Sequence, residues 1–282
     1  MQLPPLHLDL DPLLLVVVLG GGYLVALKYL GPQSVQADEP AATSPQKVSF
    51  MLGVASLAVV TAWPIHDLAE QYLLSVHMVQ HLVISLVAPP LLLYGTPPWL
   101  LRRILSVPPL GWVVRNLGRP FIALVLFNAV IVLTHWPLVV DLTLRYHAVH
   151  FLAHFVLFAT AMLMWWPVID PLPETPGLSY PGQMLYLFLQ SIVPTVPASF
   201  LTFGSSPLYA FYAEAPRIWG ISVLTDQRIA GLVMKIVGGA ILWLLIGVIF
   251  FKWFAQEHAS EGWDALEWNR VDRQLRSELS KR

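Results

Sequence analysis

The chain has no cysteine, and only 12% of its 282 residues are charged. The missing thiols exclude disulfides, iron–sulfur clusters, thiolate zinc sites and any cysteine-based copper relay. A metal here would have to be held by His, Met, Asp, Glu or backbone. The scarcity of charge is about half that of a soluble domain, too little to build a water-facing surface. No Gly-rich phosphate loop and no internal repeat is present, and Gly20 to Gly22 fall in an apolar run, where they read as helix packing. No Ser-His-Asp or paired-carboxylate arrangement occurs in the apolar runs, so hydrolysis has no support and a non-catalytic role is expected. The N-terminal MQLPPLHLDLDP lacks a basic leader region, so the first span is expected to be retained. The net charge of −1 by itself names no partner, and no nucleic-acid partner is expected.

What is present is apolar: 56% hydrophobic residues and a mean hydropathy of +0.65. Several runs of about 18 or more apolar residues mark a polytopic membrane protein. Without a short alternating strand pattern the spans must be helices, because lipid offers the backbone no hydrogen-bond partners. The expected fold is all-α, a bundle of seven transmembrane helices over residues 1–255 with a charged cytoplasmic tail at 256–282. The spans are placed at Pro12 to Leu30, Val48 to Trp63, Tyr72 to Tyr94, Phe121 to Trp136, Ala148 to Val168, Met184 to Phe203 and Ile229 to Phe254. Pro89 and Pro90 should kink or end the third. Pro194 and Pro197 interrupt the sixth, which makes a cavity near Gln190, Ser191 and Thr195 plausible against the simpler alternative of a filled kink. Tryptophans at span ends (Trp63, Trp99, Trp136, Trp165, Trp166, Trp253) read as an aromatic belt.

An odd number of spans puts the termini on opposite sides. With the C-terminus cytoplasmic, twelve Lys and Arg lie inside against three outside (Arg145, Arg217, Arg228), and Lys235 lies within the last span. The positive-inside bias therefore gives N-terminus out, C-terminus in. Lys235 needs a partner or must snorkel outward.

This topology gathers His7, His66, His77, His81, His135, His147, His150 and His154 at the outer side and leaves only His258 inside. His77 and His81, with Met78 and Gln80 between them, are spaced i,i+4 on one face of the third span. Ionisable groups inside a span are costly and mark function by default. Imidazole suits copper, zinc or iron, while the bland alternative is a pair of histidines hydrogen-bonded across the bundle. In the fifth span His147, His150 and His154 form a second stripe at i, i+3, i+7, with His150 and His154 at the depth of the first pair. If the stripes face each other, four imidazoles converge on a transition metal or supply axial ligands to haem. His66 with Asp67 and His135 are accessory candidates, Asp67 by orienting a ligating imidazole, with an interfacial polar cap as the alternative. Asp226 and Gln227 are further accessory candidates or caps of the last span's start, and Met234 is a possible soft ligand for Cu(I).

Three stretches carry a family resemblance: VHMVQHLVISLVAPPLLLYGTP (Val76 to Pro97), HAVHFLAHFVLFATAMLMWWPVIDPLP (His147 to Pro173), and SPLYAFY with WGISVLTDQRIAGLVMK (Ser206 to Lys235). With them the chain resembles the CtaG-type bacterial assembly factors of caa3-type cytochrome c oxidase. The resemblance implies a multi-pass protein of the bacterial plasma membrane that serves maturation of a haem–copper oxidase through copper handling, with oxidase subunits as partners. A homo-oligomer is open. On that basis His77, His81, His150 and His154, with Met78 or Met234, are expected to bind copper transiently and pass it on. Two alternatives stay open: a haem-binding electron-transfer subunit, and a transporter of copper or another small solute.

Overall fold

The structure is a computed structural model that describes residues 14–36, 38–175 and 177–279, with side chains described as far as His258. His7, Pro12, Lys281 and Arg282, used in the sequence assignments, lie outside the described residues. Among the described residues all regular structure is helical. In chain order the helices are α1 (Leu14–Gln33), α2 (Ser44–Thr61), α3 (Ile65–Gln71), α4 (Leu74–Gly95), α5 (Pro98–Leu105), α6 (Pro108–Leu117), α7 (Pro120–Thr134), α8 (Pro137–Arg145), α9 (His147–Ile169), α10 (Tyr180–Phe203), α11 (Ala210–Glu214) and α12 (Val223–His258). The last helix continues to Leu279.

By length and composition α1, α4, α9, α10 and α12 can each cross a membrane. The number reaches seven if α2 with α3, bent by 50°, and α6 with α7, bent by 95°, each count as one span. The protein is thus a multi-pass helical membrane protein with five to seven candidate spans.

Local sequence sets the helix starts. Thr43 and Gln46 close a capping box at the head of α2. Helices α5 to α8 each open on a proline, where the missing N–H costs no intrahelical bond. Pro89 and Pro90 do not end α4, which runs on to Gly95. A wider π-type turn at Val83–Val87 immediately precedes them and shifts the hydrogen-bond ladder where the proline nitrogens cannot donate. In α10 the ladder breaks at Val193–Pro194, between the segments Tyr180–Ile192 and Thr195–Phe203.

Helix α4 is the packing centre, with α2, α3, α9 and α12 all against it. Its far half lies so close to α2 that a Cβ at Gly95 would overlap the backbone of Phe50. Tyr23 from α1 stacks on Phe50 at 3.8 Å between ring centres and donates to the Gly95 carbonyl at 2.9 Å. On the α9 side, Trp165 and Trp166 are core residues and not part of an interfacial belt. Trp165 is 1% exposed and its indole donates to the Ser85 carbonyl at 2.9 Å, a partner left free because Pro89 and Pro90, four and five residues on, have no N–H to donate.

Candidate metal centre

Helix α4 begins at Leu74, and its start is held from a distance. Asp226 on α12 accepts from the backbone N–H of Leu74 at 2.8 Å and of Ser75 at 3.0 Å, two donors that a helix start leaves unpaired. The head of α12 is capped by Ser222, whose hydroxyl accepts from Thr225 N–H at 3.2 Å. Asp226 and Gln227 thus do not cap their own helix. Both are free for longer reach because Ser222 already meets that need. Gln227 accepts from Leu208 N–H at 2.7 Å and donates to the Leu201 and Ser206 carbonyls, tying the segment after α10 to α12.

From this fixed start His77 and His81 follow at one helix face, and α9 brings His150 and His154 against them. The two histidine stripes do face each other. Ring centres are 5.6 Å apart for His77–His154 and 5.1 Å for His81–His154, and the Nε2 atoms of His81 and His154 are 3.2 Å apart. One ligand nitrogen each from His77, His81 and His154 lies within 4.8 Å of the others. Neighbouring ligands on a tetrahedral ion with bonds of about 2.0 Å are about 3.3 Å apart, so a modest contraction would bring the three rings onto one ion. The Nδ1 atoms of His77 and His81 are buried and have no hydrogen-bond partner among the described residues, which is costly unless something else engages them.

His150 is not the fourth member of this set as placed. Its ring lies 4.2 Å from His154 and 5.7 Å from His77, but its Nε2 is 3.0 Å from Glu70 Oε1. The same oxygen is 2.9 Å from His66 Nε2. The carboxylate beside His66 is therefore Glu70, one turn along α3, while Asp67 accepts from Gln71 at 3.4 Å. Gln80 fixes the direction of this chain. Its amide nitrogen donates to the Val60 carbonyl at 2.7 Å and sits 3.2 Å from His66 Nδ1. That Nδ1 must accept, so His66 carries its proton on Nε2 and donates it to Glu70. Glu70 and Gln80 were not among the sequence candidates. Glu70 stands i+4 from His66, and Gln80 sits inside the HMVQH run, so the spacing held a signal for both.

His135, at the end of α7, is buried and close. Its ring centre lies 5.6 Å from His81, its Nδ1 is 2.7 Å from the Ile131 carbonyl, and its Nε2 has no partner among the described residues. His147 is exposed at the start of α9.

Three cavities meet at these side chains. The smallest, about 20 Å³, is enclosed by His77, Met78, His81, His135, His150 and His154, room for one ion or water. A second of about 50 Å³ shares Met78, His81 and His135 and extends past Gln190, Ser191 and Thr195 to Met234 and Lys235. This is the cavity suggested by the prolines of α10. Met78 borders both spaces and Met234 only the second. A third cavity of about 220 Å³ lies between α1, α2, α3, α4 and α9 and is bordered by His66, Glu70, His147, His150 and His154.

The segment around α11 closes the site from one end. Tyr209 and Tyr212 are both 2% exposed, and their hydroxyls donate to the carbonyls of His135 at 3.0 Å and Ala69 at 2.6 Å. Burial pushes the Tyr212 phenol well up, helped by the Asp226 and Glu70 charges, so it stays a donor. The Tyr212 ring lies 6.4 Å from His77.

Helices α4 and α9 thus bring three imidazoles to a cysteine-free candidate metal site, a donor set that would suit a first-row transition ion, in a multi-pass membrane bundle. The profile of the cytochrome c oxidase caa3 assembly factors (Caa3_CtaG) matches residues 21–256, and the chain belongs to that family. Uncharacterized proteins of Mycobacterium bovis and Mycobacterium tuberculosis are each 28% identical to it over 218 residues, covering 70% of this chain and 31% of theirs. One of Mycobacterium leprae is 25% identical over 272 residues, covering 86% of this chain and 38% of its own. The chain spans about a third of the length of these curated relatives. No solved structure matches it.

Proposed function

We propose that this protein is a copper-binding assembly factor of the bacterial plasma membrane that loads a haem–copper cytochrome c oxidase. It crosses the bilayer seven times with its N-terminus outside and its C-terminus cytoplasmic. His77, His81 and His154 hold the ion near the outer face, with Met78 beside them as a thioether donor and His150 within reach as a fourth imidazole. The observation that carries this reading is the convergence of three ligand nitrogens within 4.8 Å from helices α4 and α9. Family membership supports an oxidase as the partner. Neutral imidazoles and a thioether suit Cu(I), and the lack of thiolates keeps the ion exchangeable, as a carrier requires.

The enclosed space of about 20 Å³ between the rings favours an ion over a porphyrin, which supports copper over haem. The test is metal analysis and an absorption spectrum of detergent-purified protein. Wild type should hold about one copper per chain and no Soret band. His77→Ala with His81→Ala should hold none. Unchanged copper in the double variant, or a Soret band in wild type, would overturn the reading.

A further inference from the structure

The further inference deepens the copper reading and rests on it. We propose that the 220 Å³ cavity between α1, α2, α3, α4 and α9 is the entrance by which the cation reaches the three histidines, with Glu70 as its capture residue. The same cavity that is bordered by Glu70 and His66 is bordered by His150 and His154, and those two also wall the small space at the centre. Glu70 is the single carboxylate among the described residues lining it.

Glu70 and His66 are more open than the buried His150 and His77, while His81 and His154 are half-buried. The side chains of Glu70 and His66 are 22% and 21% exposed, against 7% for His150 and 5% for the whole His77 residue. A cation arriving from outside, past the exposed His147, therefore meets the carboxylate before the buried imidazoles of His150 and His77. One imidazole beside it is already near ligand spacing. Oε1 of Glu70 is 3.0 Å from His150 Nε2, close to the about 3.3 Å between neighbouring ligands on a tetrahedral first-row ion. His66, fixed as a donor by Gln80, holds the carboxylate in place. His150 stands between two sets, with Nε2 at Glu70 and its ring 4.2 Å from His154. Passage inward is then a ligand exchange, with Glu70 and His150 giving way to His154, His81 and His77; each imidazole binds through its unprotonated ring nitrogen with its proton on the other, and no electron is moved.

The charge on the other side of the site supports the same direction. The 50 Å³ cavity also touches His81, but Lys235 is in its wall and no carboxylate is. A fixed cation there opposes entry of another, whereas a carboxylate in a low-dielectric cleft raises local cation concentration and on-rate.

The test uses Ag(I), a redox-inert stand-in for Cu(I), with purified full-length protein in nanodiscs, following both final stoichiometry and loading rate. Glu70→Gln should bind the same amount as wild type but load at least about tenfold more slowly, the scale of electrostatic steering. Leu15→Trp, which narrows the cavity without touching a polar group, should slow loading in the same way, so the idea survives a Glu70 variant that fails to fold. Lys235→Ala should leave the rate within twofold. Glu70→Gln or Leu15→Trp loading at the wild-type rate would overturn the entrance while leaving the copper site standing. Wild type taking up no Ag(I) would overturn both.

Discussion

Replacing Asp226 by Ala should loosen the candidate metal centre, although Asp226 is not among the three histidines that form it. Asp226 is 1% exposed and spends both carboxylate oxygens on the start of α4, at 2.8 Å to Leu74 N–H and 3.0 Å to Ser75 N–H, with the Ser75 hydroxyl as a third donor. Loss of an N-cap costs about 1–2 kcal/mol. Each buried donor left without an acceptor adds about 1–3 kcal/mol, although relaxation and water entry return part of it. A net loss of about 3 kcal/mol follows, or a fall in Tm of about 6–12 °C at the usual slope for a chain approaching this length. The consequence for the site is geometric. His77 is three residues beyond Leu74, about 4.5 Å along the axis, so fraying of the first turn displaces it before it displaces His81 or His154. Asp226→Asn keeps one oxygen acceptor and should lose about half as much stability. The assay is thermal unfolding in detergent alongside Cu(I) affinity for wild type, Asp226→Asn and Asp226→Ala. If Asp226→Ala melts within 1 °C of wild type with the same affinity, the start of α4 is held by something else and the argument is wrong.

Other outcomes follow from the same geometry. His154→Ala removes a converging ligand and should abolish stoichiometric copper binding, whereas His150→Ala should weaken affinity by about 10–100-fold, the usual cost of disturbing a group that supports the ligands. Competition against a chelating Cu(I) indicator separates the two. Gly95→Ala should destabilise by about 1–3 kcal/mol through the forced shift of Phe50, and its copper content per folded chain should match wild type. Tyr212→Phe deletes the 2.6 Å bond to the Ala69 carbonyl; it should cost about 1 kcal/mol in a thermal melt.

The multi-pass helical character was legible because hydropathy and helical period act over long windows, while the count stands at five to seven candidate spans. The depth match between His77 with His81 and His150 with His154 was legible for the same reason, since residues per turn fix height along an axis. That the two stripes face each other needed the structure, because rotation of α9 is set by packing against α4 and α7 and not by its own sequence. Other features were hidden by distance. Asp226 acts on a backbone 152 residues away, while a reader of local pattern assigns it to its own helix. Glu70 stands in a short, polar-looking helix, outside both histidine stripes, and reaches His150 only because α3 bends by 50° from α2. Trp165 looked like an interfacial belt residue because it sits near a span end, yet the Ser85 carbonyl, which Pro89 and Pro90 cannot pair, is its buried hydrogen-bond partner in the core.

The arrangement separates two demands that a single rigid site would confuse. The proposed copper carrier must hold its ion in one geometry and still release it. Here the three converging histidines come from α4 and α9 alone, and α4 is fixed at its start by Asp226 and at its far half by the close approach of α2. The fourth imidazole, His150, is drawn toward Glu70, which belongs to the bent helix α3. On the proposed copper reading, movement of α3 relative to α9 would therefore change the donor number at the site without displacing His77, His81 and His154 on α4 and α9. A site that passed between three and four donors would change its affinity without being rebuilt, and the 3.0 Å contact of His150 Nε2 with Glu70 makes α3 the element on which such a change would depend.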